Sequence, residues 1–402
     1  MSFFDFIYLS ISLREILNSM KNTALFLFLL VFIISCSEGD NKSNENPDNL
    51  NLTKVDSIQI PYLGLLNLMD VHPESGKVLL FNQQMGTLVV GGFEGNQVEE
   101  FAKNTDSPDS YGSFPLGAGK FSEDGERFTI ISNQGVYTYD LQGNLIQGGK
   151  HQVEEMPAFS GRASVDMEFY WVEHKILTTG AGRTQYQRNT PEFYENYTSL
   201  AWFDTTARKV ERFFYLDETS FFRNGKAHDI AHMIPRMTAD KDHIYLIQGI
   251  EPALNIHSIQ APYEKITRVP LNIADYTFNQ GQPFAEADPR MINPDIFTGI
   301  FENLKVTDEY ILVSFFPGVP ELDQDKYENM GWQELLPKLA VDYPKRMLVM
   351  DKQGNMLKEI PIPKEFNTRQ WLERDGYLYF LASINLEEEE DFVKIYKVKL
   401  GE

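Results

Sequence analysis

From Ser57 onward the chain reads as short runs of alternating or continuous apolar residues, each broken after five to seven positions by Gly, Asp, Asn or Pro. Only residues 332–341, "WQELLPKLAV", carry apolar side chains at helical spacing. One unit recurs: an extended run, an acidic or glycine turn, then a strongly β-prone run. It appears as "DVHPESGKVLLF" (70–81), "GKFSEDGERFTII" (119–131), "EFYWVEHKILTT" (168–179), "RMTADKDHIYLI" (236–247), "LKVTDEYILVSF" (304–315) and "RQWLERDGYLYFL" (369–381). The last turn residues, Gly76, Gly125, His174, Asp242, Glu309 and Gly376, are separated by 49, 49, 68, 67 and 67 positions. A second pair of β runs joined by a glycine-containing turn follows several units, at 86–101, 135–149 and 346–362. Such a pair is what a hairpin requires.

Four antiparallel strands repeated six times predict an all-β fold, a six-bladed β-propeller. The alternative arrangement of the same strands is a pair of β-sandwiches. Closing a propeller ring leaves no exposed edge when a strand from one terminus completes the blade at the other. The last unit ends in "FVKIYKVKL" (392–400) and lacks a fourth strand, so "DSIQIPY" (56–62) is expected to close blade six.

The N-terminal region has a different character. Ala24 to Ile34 is an apolar run of eleven residues preceded by Lys21, too short to span a bilayer, which needs about 20 residues. It fits the apolar region of a signal segment spanning 1–35, with small Ser35 at the cleavage point. Cys36 follows directly and is the only cysteine of 402 residues, so it has no disulfide partner within the chain. Residues 33–36, "IISC", resemble the lipobox of bacterial lipoproteins, which implies that Cys36 becomes lipid-modified and N-terminal. Met20-Lys21 is the natural start of such a signal, which leaves residues 1–19 outside it. Residues 36–56, polar and rich in Asn, are expected to form a disordered tether. Its coil span is on the order of 25 Å. The propeller would occupy 57–402 as one domain.

The formal net charge of −22 survives removal of 1–35, because Asp5 and Glu15 cancel Arg14 and Lys21. A polyanion of this size repels nucleic acid and anionic headgroups. Membrane attachment is therefore expected through acyl chains on Cys36. At the level of repeat layout the chain from Ser57 onward resembles the TolB-like six-bladed propeller lipoproteins of Bacteroidetes-type bacteria, many of unknown function. That resemblance implies an outer-membrane lipoprotein facing the periplasm or the cell surface.

Labelling the strands of each blade A to D from the axis outward, the A–B and C–D turns share one end of the ring. The B–C loops and the crossings to the next blade share the other. The long inserts at 180–197, 216–235, 272–298 and 316–345 all belong to this second end. Long loops on a rigid scaffold are where function concentrates. The inserts of blades 3 to 5 also concentrate cations and tyrosines within an acidic chain. Arg162, Arg183, Tyr186, Arg188, Tyr194, His228, His232 and Arg236 are the expected ligand-binding residues. Arginine forks and tyrosine faces suit an anionic small molecule, a glycan or a peptide. The competing reading is that these arginines pair with nearby carboxylates and the aromatics hold the inserts on the blades.

His228 and His232 in "HDIAH" would share a face on a helical turn, but the motif lacks the glutamate of zinc proteases and a third ligand. No metal site is assigned from it. "EEEED" (387–391) would attract calcium or stand as a solvated charge run. There is no nucleophile elbow, phosphate-cradling loop or Cys/His pair. A monomeric binding or interaction module is therefore favoured over an enzyme. The alternatives are a metal-dependent propeller hydrolase or lactonase, drawing on Asp166, Asp229, Asp288 or Asn303, and a structural part of an envelope assembly.

Overall fold

The structure, a computed structural model, describes residues 49–95, 97–113, 115–132, 134–151, 163–180, 185–290, 295–384 and 390–401. Cys36, Arg162, Arg183, residues 387–389 and the signal and tether up to residue 48 lie outside the described residues. Six four-stranded antiparallel sheets form the blades of a propeller. In order from the axis outward, blade 1 is Leu66–His72, Lys77–Asn82, Thr87–Gly92 and Val98–Ala102. Blade 2 is Lys120–Phe121, Arg127–Ile131, Gly135–Asp140 and Leu145–Lys150. Blade 3 is Tyr170–Val172, Lys175–Thr179, Thr198–Asp204 and Lys209–Tyr215. Blade 4 is Arg236–Ala239, His243–Ile247, Ala253–Ser258 and Lys265–Pro270. Blade 5 is Ile300–Val306, Ile311–Phe316, Arg346–Met350 and Met356–Pro361. Blade 6 is Phe366–Arg374, Tyr377–Ala382, Val393–Leu400 and, outermost, Leu52–Ile60 from the other end of the chain.

The closing strand pairs Leu52 with Leu400 through to Ile60 with Val393 and begins four residues before the expected Asp56. Its period-2 pattern sets which face it presents. Ile58 and Ile60 are buried against blades 1 and 6, while Ser57 and Gln59 face solvent. The extra residues reach back because Leu50 and Leu52 join the apolar cluster between blades 5 and 6.

Apolar clusters fill the blade interfaces in turn. One joins blades 6, 1 and 2; others lie between blades 2 and 3, 3 and 4, 4 and 5, and 5 and 6. The ring is thereby closed by burial as well as by strand pairing, and the sandwich alternative falls. The turns follow local chemistry. "DLQGN" (140–144) and "DKQGN" (351–355) make the same C–D turn, in which one aspartate oxygen accepts from the backbone of the residues two and four ahead at 2.8–2.9 Å. Gly125 in the A–B turn of blade 2 has φ +67, and a Cβ there would stand 2.6 Å from Ser75 Oγ and 2.8 Å from His72 Nδ1. Only glycine lets the A–B turns of blades 1 and 2 approach this closely.

The predicted helix over 332–341 is present as Trp332–Asp342. It lays Leu335 and Leu339 against Phe316, Val319 and Tyr327 of its own blade and insert. Among the described residues no helix is long and apolar enough to cross a membrane.

Candidate functional site

The long segments of blades 3 to 5 form one built layer on the end of the ring where inner strands begin. Phe193, Tyr194, Tyr197 and Phe222 are buried together with Met233 and Ile250, and Phe221, Phe278 and Phe284 pack against them. Two residues of the 3-to-4 crossing, Lys226–Ala227, pair antiparallel with Gln282–Pro283 of the 4-to-5 crossing. Gly281, at φ +74, makes this approach feasible: a Cβ would lie 2.7 Å from His228 Cε1 and 2.9 Å from Ala227 O.

Arg188 is the tie of this layer. Its Nη1 donates to His228 O at 3.0 Å, its Nη2 donates to Asp288 O at 3.2 Å, and Asp229 lies 3.8 Å away. Tyr194 Oη donates to Arg188 O at 2.9 Å and accepts from His228 N at 2.8 Å. The His228 ring stands edge-on to Phe221 and Phe222 and places Nε2 3.1 Å from Asn224 Oδ1. Burial, reinforced by His232 and Lys226, lowers its pKa to about 4, so the ring is neutral at pH 7.

The expected helical face for His228 and His232 is not formed. Asp229 between them is an N-cap, its carboxylate accepting from Ala231 N at 2.8 Å, and His232 sits in the 3-10 turn Ile230–Met233 that follows. Capping by aspartate is the local preference that wins over the helix. Among the described residues no group of three His, Cys, Asp or Glu side chains could hold a metal ion. Tyr186 is 37% exposed on the same layer. Arg188, Tyr194 and His228 are thus brought together, while Arg236 joins a different set.

That other set lines the axis. Arg236 opens the inner strand of blade 4, donates from Nε to Phe301 O at 3.1 Å and lies 3.5 Å from the buried Asp166. Deeper along the axis, Glu168 is the hub. Lys305 Nζ of blade 5 reaches it at 2.7 Å, Arg374 of blade 6 at 3.2 Å and Lys120 of blade 2 at 3.3 Å. Burial pushes the Glu168 carboxyl upward, but Lys305, Lys120 and Arg374 together outweigh it and hold the group well below the carboxylate range. Arg374 also pairs with Asp70, whose other oxygen accepts from Phe121 N at 2.7 Å. Glu302 takes Lys345 at 2.9 Å and Arg369 at 3.0 Å. Asn303 spends its amide nitrogen on Arg369 O and Trp371 O, at 3.0 and 2.8 Å.

Apart from Arg236, Asp166 and Asn303, sequence reading did not select these axial residues. Their signal was the charge carried by the first run of each unit, as in "FENLKV" and "FNTRQWLER", beside second runs that are almost wholly apolar. Asp166 and Asn303 stand at the axis, and Asp229 and Asp288 lie with Arg188 in the loop layer, so the four do not form one carboxylate set.

A small cleft opens between blades 3 and 4. Its lining comes from strand ends on the long-loop side: Ser199 and Tyr215 of blade 3, Gln248 and Asn255 of blade 4. Its floor is polar and fixed. The buried Glu251 accepts from Arg268 Nη2 at 2.6 Å, Phe221 N at 2.6 Å and Ser220 Oγ at 3.0 Å. Gln248 accepts from Ser199 and donates to Met233 O at 2.6 Å. The wall is aromatic. Phe214 has φ +58 within a strand pair whose register runs unshifted from Leu200–Phe213 to Thr198–Tyr215. The Phe214 ring lies 4.3 Å from that of His257, and Tyr215 is 64% exposed. A bulky residue in the left-handed region costs on the order of 1–3 kcal/mol, and such strain gathers at functional sites.

No protein-family profile matches the chain, and no curated protein does. The fold recurs among solved structures. A member of the DUF4221 family from Bacteroides vulgatus superimposes with a TM-score of 0.56 at 13% identity, over 89% of this chain and 99% of that one. A Bacteroides fragilis protein considered to be exported gives 0.49 at 10% identity, over 90% and 98%. A calcium-binding protein, regucalcin, from Agrobacterium tumefaciens gives 0.39 at 12% identity, over 85% and 94%. At such identities the likeness to the Bacteroides vulgatus protein is one of fold.

Proposed function

We propose that the mature chain is a lipid-anchored binding protein of the bacterial cell envelope that takes a glycan in the cleft between blades 3 and 4. The observation that carries this reading is the cleft itself: an exposed Tyr215 beside the tilted Phe214–His257 pair, over a floor of planar polar groups already held in place. Aromatic faces accept the apolar face of a sugar ring while amides and guanidinium groups accept its hydroxyls. Arg268 is neutralised by Glu251, and Asp217 is also in the lining, so the cleft favours an uncharged ring over an anion. Tyr186, 37% exposed, belongs to the blade 3 insert on the same side, while Arg162 and Arg183 lie outside the described residues. Arg188, Tyr194, His228, His232 and Arg236 hold the loops and strands behind it.

The anchor supports the same reading. Antiparallel pairing puts Leu52 at the turn end of blade 6, opposite the long loops. The chain that leads from Cys36 therefore enters the propeller at the end away from the cleft. The hydrolase alternative needs axial carboxylates open to a metal. Asp70, Asp166, Glu168 and Glu302 are each engaged by lysine or arginine, which favours binding over that chemistry.

A glycan array probed with the purified protein, followed by calorimetry on Tyr215→Ala, tests the cleft. Hits weakened about two- to tenfold by the substitution support it, consistent with the ~0.5–1.5 kcal/mol of an aromatic contact; an empty array or an indifferent variant removes it. Cys36→Ala is expected to move the protein from the membrane to the soluble fraction, and persistent membrane association would refute the anchor.

A further inference from the structure

Glu302 gathers more positive charge than it neutralises. Lys345 Nζ and Arg369 Nε touch the same Oε1, at 2.9 and 3.0 Å, so the two cations are neighbours, and Thr368 Oγ1 donates to the other oxygen. One carboxylate thus stands against two cations. Both remain open to solvent: the Arg369 side chain is 32% exposed and that of Lys345 40%. Among the described residues the two terminal nitrogens of Arg369 make no hydrogen bond, so its fork is available to a ligand.

The backbone holds that fork in place. Phe366 pairs with Ala382 and Trp371 with Phe380, so residues 367–370 loop out of the inner strand of blade 6. The loop is fastened at each position. Asn367 Oδ1 accepts from Arg369 N at 3.1 Å, and Asn303 donates to Arg369 O at 3.0 Å. Gln370 donates to Asn67 Oδ1 at 3.1 Å and accepts from Leu68 N of blade 1 at 2.7 Å. Inner strands begin at the long-loop end, so Arg369 stands near that mouth of the shaft. Burial is the largest influence on its guanidinium, opposed by Glu302 and Asp166, although a third of the side chain is accessible. Among the described residues, Arg236, Lys345 and Arg369 stand here against Asp166 and Glu302, inside a chain of net charge −22.

We propose that the long-loop mouth of the axial shaft is a binding site for a small oxyanion, a carboxylate or a phosphate, held by the Nη pair of Arg369 and by Lys345. A planar fork and an adjacent ammonium are the donor set such anions select, and a fork fixed beforehand loses little entropy on binding. The site is separate from the cleft between blades 3 and 4 and stands whether or not that cleft takes a glycan.

Calorimetry and thermal shift on the full mature protein, at matched ionic strength in chloride, with inorganic phosphate and with sodium glucuronate, test it. Binding of at least one anion is expected, weakening about tenfold in Arg369→Gln as one charge-assisted fork is lost. Lys345→Met, which leaves Arg369 on Glu302, is expected to weaken it as well and guards against misfolding of the first variant. Tyr215→Ala is expected to bind the anion as the parent does. Phosphate alone, or glucuronate alone, identifies the anion class. The proposal is overturned if the parent protein binds neither anion at about 20 mM, or if both axial variants bind as tightly as the parent.

Discussion

Replacing Glu168 by Gln keeps the shape of the axial hub and removes its charge. The side chain is 5% exposed and faces Lys305, itself 4% exposed, at 2.7 Å. Without the carboxylate Lys305 keeps Val165 O at 2.6 Å but no counter-charge in contact, whereas Arg374 retains Asp70 and Lys120 is partly exposed to water. Stranding one buried charge costs about 3–5 kcal/mol. For a domain of roughly 350 residues that is a fall in Tm of about 4–7 °C. Lys305→Met removes the other partner but leaves Glu168 with Lys120, Arg374 and the Tyr170 hydroxyl at 3.1 Å. Its cost should be smaller, about 1–2 kcal/mol. The double variant E168Q/K305M should cost less than the sum, by about 1 kcal/mol or more, because neither buried charge then remains. Guanidinium denaturation of the four proteins measures all three quantities. An E168Q cost below about 1 kcal/mol, or strictly additive effects, would refute the claim that the buried Lys305 depends on Glu168 for its counter-charge.

Two further outcomes follow from the loop layer. Gly281→Ala forces a Cβ against His228 and Ala227 O at a positive φ, and should cost about 2 kcal/mol or more; hydrogen exchange should rise around Lys226–Ala227 and stay unchanged in blade 1, and a uniform or absent change would sink this assignment. His228 resists protonation in the folded state, its pKa lowered to about 4 from 6.5, so its contribution is full above pH 6.5 and is lost as the pH falls toward 4. His151, His232 and His257 are lowered in the same direction by burial and add to the fall. The Tm drop over this window should shrink in His228→Phe, and an unchanged profile would show that the ring is not held neutral.

The chain announces its architecture locally. A strand is declared by period-2 alternation and a turn by Gly, Asp or Asn at a fixed offset, so the six units could be counted, the unpaired Ile58–Ile60 stretch assigned to blade 6, and the long inserts placed at one end. "WQELLPKLAV" likewise showed its helix through spacing alone. The partners of the charged side chains were legible only after folding. Lys305 and Arg374 meet Glu168 across 137 and 206 positions, and the loop-out that presents Arg369 appears only when blade 6 is paired and stapled to Asn303. The cations of the long loops show the same division: Arg188 and Arg236 read as one set in the sequence, yet one ties loops to backbone carbonyls while the other turns to the axis. Period and turn chemistry are written in neighbouring residues, because backbone sterics act over a few positions. Charge pairing is decided by which strands the closed ring brings within a few ångströms, and distance along the chain carries no record of that.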